Sequence, residues 1–275
     1  MLTETLTQTS PNYAAIKTKQ NAAWASGDYA KIGTTLQIVG EDLAEAMDLS
    51  PGSSVLDVAA GNGNATLAFA RRWCNVMSTD YVDSLLARSR SRAEAEALDV
   101  TYRITDAEQL PFDDGAFDAV VSTFGVMFTP DQATAAGELI RVCRPGGKIG
   151  LANWTPNGFI GQLFKTLGGH IAPPPGVKSP ALWGTRDWLS EHFGTVCRTV
   201  DITDRDFIFR YRSPDHFIDV FRTFYGPVHK AFLALDPSGQ AQLANDLRDT
   251  VANFNTARDG SMRVPSAYAE VIITK

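Results

Sequence analysis

Cysteine is scarce in this sequence, with three among 275 residues. Cys74, Cys143 and Cys197 stand far apart, and no Cys-x-x-Cys pair occurs. That spacing excludes the usual zinc clusters and a disulfide framework, and it fits reduced thiols in a cytosolic protein. No metal site is expected. Long apolar runs are also missing. None approaches the ~18 residues of a membrane-spanning helix. No basic stretch leading into an apolar core opens the chain, which argues against export. Positive charge is in deficit: Lys and Arg number 25 against 31 Asp and Glu, a net charge of −6. The clustered basic surface that grips a phosphate backbone is therefore not expected, which argues against nucleic acid as a partner. Histidine is rare, at four residues, and no Ser-His-Asp order suggests a hydrolytic triad.

What is present is an apolar-rich chain, 44% hydrophobic, long enough for one large core and a cap without two independent domains. Short apolar runs alternate with helical patterns, which predicts a mainly parallel sheet. The most telling stretch is Val55-Leu56-Asp57-Val58-Ala59-Ala60-Gly61-Asn62-Gly63. An apolar run meets an acidic residue, a glycine-bearing turn follows, and a helix opens behind it. Doubly wound α/β domains hold nucleotide-like ligands at such a turn. Gly61 and Gly63 are expected to let a ligand approach the main chain. Asp80 ends the next apolar run, near the ~20-residue offset of a carboxylate that accepts ribose hydroxyls. The third small residue of a dinucleotide fingerprint is replaced by Thr66, and Asp57 would face a pyrophosphate badly. An acidic residue there suits a cationic ligand such as S-adenosylmethionine (SAM).

The segment Asp57–Gly63 resembles motif I of class I SAM-dependent methyltransferases, with Ala59 where many members carry glycine. Three further segments agree: Asp106-Ala107-Glu108-Gln109-Leu110-Pro111-Phe112 with Asp113–Asp118, the run Ala119–Phe124, and Arg144-Pro145-Gly146-Gly147-Lys148 before Ile149–Ala152. Together they are similar to the methyltransferase type 11 group, which includes the ubiquinone and menaquinone biosynthetic C-methyltransferases. The resemblance spans about residues 36–154. It implies a Rossmann-like α/β fold, with a seven-stranded, mostly parallel sheet, helices on both faces and a last pair of strands forming an antiparallel edge. It also implies SAM as cofactor.

The expected organisation is a single domain over 1–275. Residues 36–154 form the cofactor-binding half, 1–35 an N-terminal helical lid, and 155–182 and 213–260 cap insertions over the acceptor. Ile32, Leu36, Val39, Leu43 and Met47 recur at helical spacing, so one helix is read over 29–47. Strands are read over 53–58, 75–80, 100–105, 117–123 and 147–153, and Thr129-Pro130 as the start of a helix to 142. Gly168-Gly169 and Pro173-Pro174-Pro175 give 155–182 the chemistry of a loop. Further helices are expected over 185–194, after Ser213-Pro214 and after Asp236-Pro237, with extended segments over 199–211 and 266–274.

The implied site follows residue by residue. Asp57 is expected to orient the loop amides near the methionine ammonium, and Ala59, Gly61 and Gly63 to admit the ligand. Asp80 takes the ribose, and Tyr81 packs on ribose or adenine. Asp106 and the Ala107 amide meet the adenine edge, while Ser122 and Thr123 flank the methionine portion. Trp24 is a candidate to close the pocket. His170, in the stretch after strand 5, is the candidate general base. Ten of the 15 phenylalanines follow residue 150, which suits a pocket for a flat apolar acceptor. The expected function is methyl transfer from SAM to a small, aromatic or apolar metabolite. An NAD(P)-dependent oxidoreductase of similar fold and a non-catalytic SAM-binding protein are the alternatives.

Overall fold

A computed structural model describes residues 11–275; the first ten residues of the expected 1–35 lid lie outside the described residues. Seven strands form one sheet: β1 (Ser54–Val58), β2 (Asn75–Asp80), β3 (Val100–Ile104), β4 (Phe117–Thr123), β5 (Cys143–Trp154), β6 (Thr199–Tyr211) and β7 (Met262–Thr274). Their order is β3-β2-β1-β4-β5-β7-β6. The first five run parallel, and β7 lies antiparallel between β5 and β6. This is the Rossmann-like fold. The order reverses between β1 and β4, so a crevice opens outside the carboxyl ends of those two strands.

Alternation along the strands divides the core between two faces. Val55 and Val121 pack with Leu43, Met47 and Phe69 on one side. Leu56, Val120, Leu139, Leu151, Trp183 and Phe193 pack on the other. A sheet covered on both faces explains why Val55, Leu56, Asp57 and Val58 are all buried.

The N-terminal part holds α1 (Tyr13–Trp24), α2 (Ala30–Gly33) and α3 (Gln37–Met47), with a 3-10 turn over Thr34–Leu36. The single helix read over 29–47 is thus broken. The Gly33 carbonyl oxygen accepts a hydrogen bond from Asn64 Nδ2 at 2.7 Å, and the hydroxyls of Thr34 and Thr35 donate back to the carbonyls of Ala30 and Ile32. Such local bonds compete with the regular helical ladder. The five periodic apolar residues, Ile32, Leu36, Val39, Leu43 and Met47, are nevertheless all buried.

Helices α4 (Asn64–Arg71) and α5 (Asp83–Ala95) follow β1 and β2, and α6 (Gln132–Val142) follows β4. Asp131, not Thr129, caps α6, accepting from the Thr134 amide at 3.1 Å. Thr129 instead closes the 3-10 turn Val126–Phe128. β5 is longer than expected because Arg144–Gly147 forms a bulge within it, where Gly146 takes a φ of 73° and donates to the Lys275 carbonyl.

The largest departure is α7 (Phe159–His170), in the stretch read as loop. Phe159, Ile160 and Leu163 are buried on one face, while Gly168 and Gly169 occupy the last turn with open space around them. Helix α8 (Arg186–Phe193) precedes β6. Between β6 and β7 lie α9 (Pro214–Phe224), α10 (Gly226–Ala234) and α11 (Pro237–Phe254), with Ser213 and Asp236 as side-chain caps of α9 and α11.

Candidate functional site

One deep cavity lies at the switch point, enclosing about 1150 Å³ with its mouth included. The turn after β1 forms its floor. Ala59 takes a φ of 52° and Gly61 of 58°, conformations that only glycine adopts freely. A side chain added at Gly61 would meet nothing nearer than the Tyr29 ring at 3.7 Å, so this backbone is open to the cavity.

Asp80 reaches into the same turn. Its carboxylate accepts the Gly61 N–H at 2.9 Å and the Val82 N–H at 2.8 Å. Each oxygen keeps one lone pair. Burial pushes its pKa up to about 6 despite these two amides. Tyr81, Asp106, Ala107 and Thr123 also line the cavity. Asp106 is tied on both sides: Lys17 of α1 donates to Oδ2 at 2.5 Å, and the Glu108 amide donates to Oδ1 at 2.9 Å. Lys17 also reaches Glu108 at 2.9 Å, and Asn21 donates to the Tyr81 carbonyl at 2.7 Å. Helix α1 is thus strapped across the β2–β3 side of the cleft.

Four expected site residues are not brought to the cavity wall. Asp57 is fully buried beneath the turn. It accepts the Thr66 hydroxyl at 2.6 Å and no loop amide, and its Oδ1 has no partner among the described residues. Burial pushes its pKa up to about 7, with the Thr66 bond opposing. Thr66, out of place for a dinucleotide fingerprint, is there to meet Asp57.

Gly63 caps α4 with a φ of 84°, and a Cβ there would stand 2.1 Å from Ser89 Oγ. Its glycine serves helix–helix packing against α5 rather than close ligand approach. Ser122 is turned inward and accepts the Val126 amide at 3.1 Å. His170 ends α7 and bonds Asp246 of α11 at 2.7 Å, outside the residues that line the cavity. Placing it in a mobile loop over the cofactor followed from reading a helix as loop.

Sequence reasoning missed other wall residues. Gln20 donates to the Phe128 carbonyl at 3.1 Å. Thr105 presents a buried hydroxyl with no partner among the described residues. Phe124, at a φ of 60°, stacks on Trp154 with ring centres 3.9 Å apart and planes 4° apart. The signal for this corner was Gly125, because any side chain there would meet the Ala59 carbonyl at 2.0 Å. Trp24 does close the cavity, edge-on to Tyr29, Phe128 and Tyr225 at 4.9–5.6 Å. Phe209, Phe221 and Tyr225 continue this aromatic wall. Among the described residues no cluster of His, Cys, Asp or Glu is arranged to hold a metal ion. None of their helices is long and apolar enough to cross a membrane.

Residues 56–151 match the family model of a methyltransferase domain. The chain is 38% identical over 253 residues to an uncharacterized protein of Mycobacterium tuberculosis, covering 90% of this chain and 91% of that one. It is 34% identical over 150 residues to demethylmenaquinone methyltransferase of Thermus thermophilus, covering 53% and 68%. Among solved structures, a phosphoethanolamine N-methyltransferase of Haemonchus contortus in complex with SAM shares the fold. The TM-score is 0.53 at 18% identity, covering 86% of this chain and 52% of that one. The cleft fits such a ligand: the Ala59–Gly61 backbone is open, Asp80 keeps free lone pairs, and Thr105 offers a hydroxyl with no partner among the described residues. The chain belongs to the class I SAM-dependent methyltransferases and uses S-adenosylmethionine as its cofactor.

Proposed function

We propose that the protein methylates a flat, largely apolar, aromatic small molecule. The observation that carries this reading is the aromatic wall facing the cofactor turn, from the Phe124–Trp154 stack through Phe209 and Phe221 to Tyr225. Apolar clefts with few polar groups are the usual form of a small-molecule site.

In this reading Asp80 holds the ribose hydroxyls, Tyr81 packs beside them, and Asp106 with the Ala107 amide meets the adenine edge. Ala59, Gly61 and Thr123 border the methionine portion. Asp57 acts from below by holding Thr66 and the start of α4. Bound SAM supplies an activated methyl group on sulfonium. The residues of this chain align the acceptor behind it and exclude water; such orientation is worth about 7–11 kcal/mol in favourable cases. Helix α1, with Phe221 of α9 and Tyr225 just after it, closes the cavity from above.

Transfer of labelled methyl from SAM across a panel of aromatic and aliphatic acceptors tests the proposal. Aromatic acceptors should be preferred, and Trp154→Leu should raise their KM more than it changes SAM affinity. Preference for charged aliphatic acceptors, unaffected by that substitution, would overturn the reading.

A further inference from the structure

The acceptor end of the cavity holds hydroxyls but no base. Apart from tyrosines, the titratable side chains lining the cavity are Lys17, Asp80, Asp106 and Glu108. All four sit on the β2–β3 side: Lys17 is paired with Asp106 and Glu108, and Asp80 holds two amides and keeps its remaining lone pairs for the ribose in the reading above. On the aromatic side stand Tyr29 and Tyr225, ring centres 6.2 Å apart. Both line the cavity, and neither phenol has a hydrogen-bond partner among the described residues. Tyr29 also faces the cofactor turn, its ring being the nearest group, 3.7 Å from where a side chain on Gly61 would begin. It therefore joins the two halves of the cavity.

We infer that the acceptor is a phenol or enol acidic enough to enter as its anion, and that the Tyr29 and Tyr225 hydroxyls hold its oxygen. This rests on the reading of an aromatic acceptor given above and adds its functional group. Two O–H donors aimed at one oxyanion form charge-assisted bonds, about twice as strong as neutral ones, and such bonds favour the ionised acceptor. The tyrosines remain donors. Burial holds the Tyr29 phenol well above its ordinary pKa, with Tyr211 of β6 and Asp80 of β2 adding to the effect. Burial first and Tyr29 second do the same for Tyr225. In the transfer, a lone pair of the anion forms the new bond to the methyl carbon, and the breaking C–S pair remains on sulfur. The acceptor's acidic proton has already left to water, so no protein base is required for it.

The test uses 4-nitrophenol, whose anion absorbs visibly, bound to the protein saturated with S-adenosylhomocysteine. That ligand lacks the sulfonium charge, so any preference for the anion comes from the protein. The bound phenol should ionise about one pH unit lower than in solution, a tenfold preference for the anion. Tyr29→Phe and Tyr225→Phe, which keep the rings, should each move the midpoint back up. A midpoint unchanged or raised in the wild type, or indifferent to both substitutions, overturns the inference. So does a Tyr29→Phe variant that loses S-adenosylhomocysteine affinity while the bound phenol titrates as before, because the hydroxyl then serves the cofactor. A second probe, 2-methoxynaphthalene, separates the two readings. If it binds and 4-nitrophenol does not, the oxyanion site fails and the aromatic cavity stands. If neither binds, both fail.

Discussion

The carboxylate of Asp80 accepts the backbone N–H of Gly61 at 2.9 Å, so the end of β2 holds the turn that follows β1. One side chain thereby shapes the floor of the cavity and faces into it. Asp80→Ala should weaken SAM binding about ten- to a hundredfold, the range of ~1.5–3 kcal/mol for a hydrogen bond to a charged group. Because the pKa of Asp80 is pushed up to about 6 in the free protein, binding through the ionised form should weaken as pH falls below that value. Calorimetric titration with SAM from pH 8 to pH 5 checks both. An Asp80→Ala variant with wild-type affinity would remove Asp80 from the cofactor site.

Asp57 carries a different pH signature. Its pKa is pushed up to about 7 by burial, so the folded state binds a proton that the unfolded state, with an ordinary carboxyl near 3.9, has already released. Stability from this group is complete below the unfolded value and lost as pH rises through about 7. Relative to Asp57→Asn, the wild-type protein should therefore lose stability between about pH 4 and 7. Paired thermal melts without cofactor across that window measure the difference, and a constant difference would contradict the buried carboxyl.

The two glycines of the motif should separate in mutagenesis. Gly63→Ala adds a left-handed backbone penalty of ~1–2 kcal/mol and a clash with Ser89 Oγ, so it should destabilise the fold. Gly63→Ala with Ser89→Ala should recover part of that loss. Gly61→Ala meets only the Tyr29 ring, at an ordinary contact distance of 3.7 Å, so it should carry the backbone penalty alone and mainly impair SAM binding. Denaturant unfolding and SAM affinity, measured together, distinguish the two. Equal loss of affinity without loss of stability in both variants would contradict the assignment of Gly63 to helix packing.

His170 bonds Asp246 and stands apart from the cavity. His170→Ala should leave both SAM affinity and turnover on a true acceptor unchanged, since its side chain packs against Asp246 and lies outside the residues that line the cavity. A tenfold fall in kcat alone would restore it to the mechanism.

The cofactor half was legible because short continuous apolar runs and glycine turns are local signals. Strands over 75–80 and 117–123 appear at their expected limits. The cap was less so. Gly168 and Gly169 advertise a loop, yet the packing of Phe159, Ile160 and Leu163 overrides them and makes a helix. Orientation was the harder matter. Ser122 and Thr123 are adjacent at the end of β4, and pleating sends only Thr123 to the cavity. Tyr29 was invisible as a site residue because its importance comes from Gly61 and Tyr225, distant in sequence and near in space.

The β6–β7 ladder pairs thirteen residues without interruption, from Thr199 with Thr274 to Tyr211 with Met262. The entry and exit of the α9–α11 segment are therefore neighbours on one hairpin, much as the two ends of a drawer meet one frame. Chain added, shortened or exchanged between Tyr211 and Met262 leaves every parallel pairing of the cofactor half untouched. A fold built this way can acquire a new acceptor by replacing one drawer, while the grip on SAM is inherited unchanged.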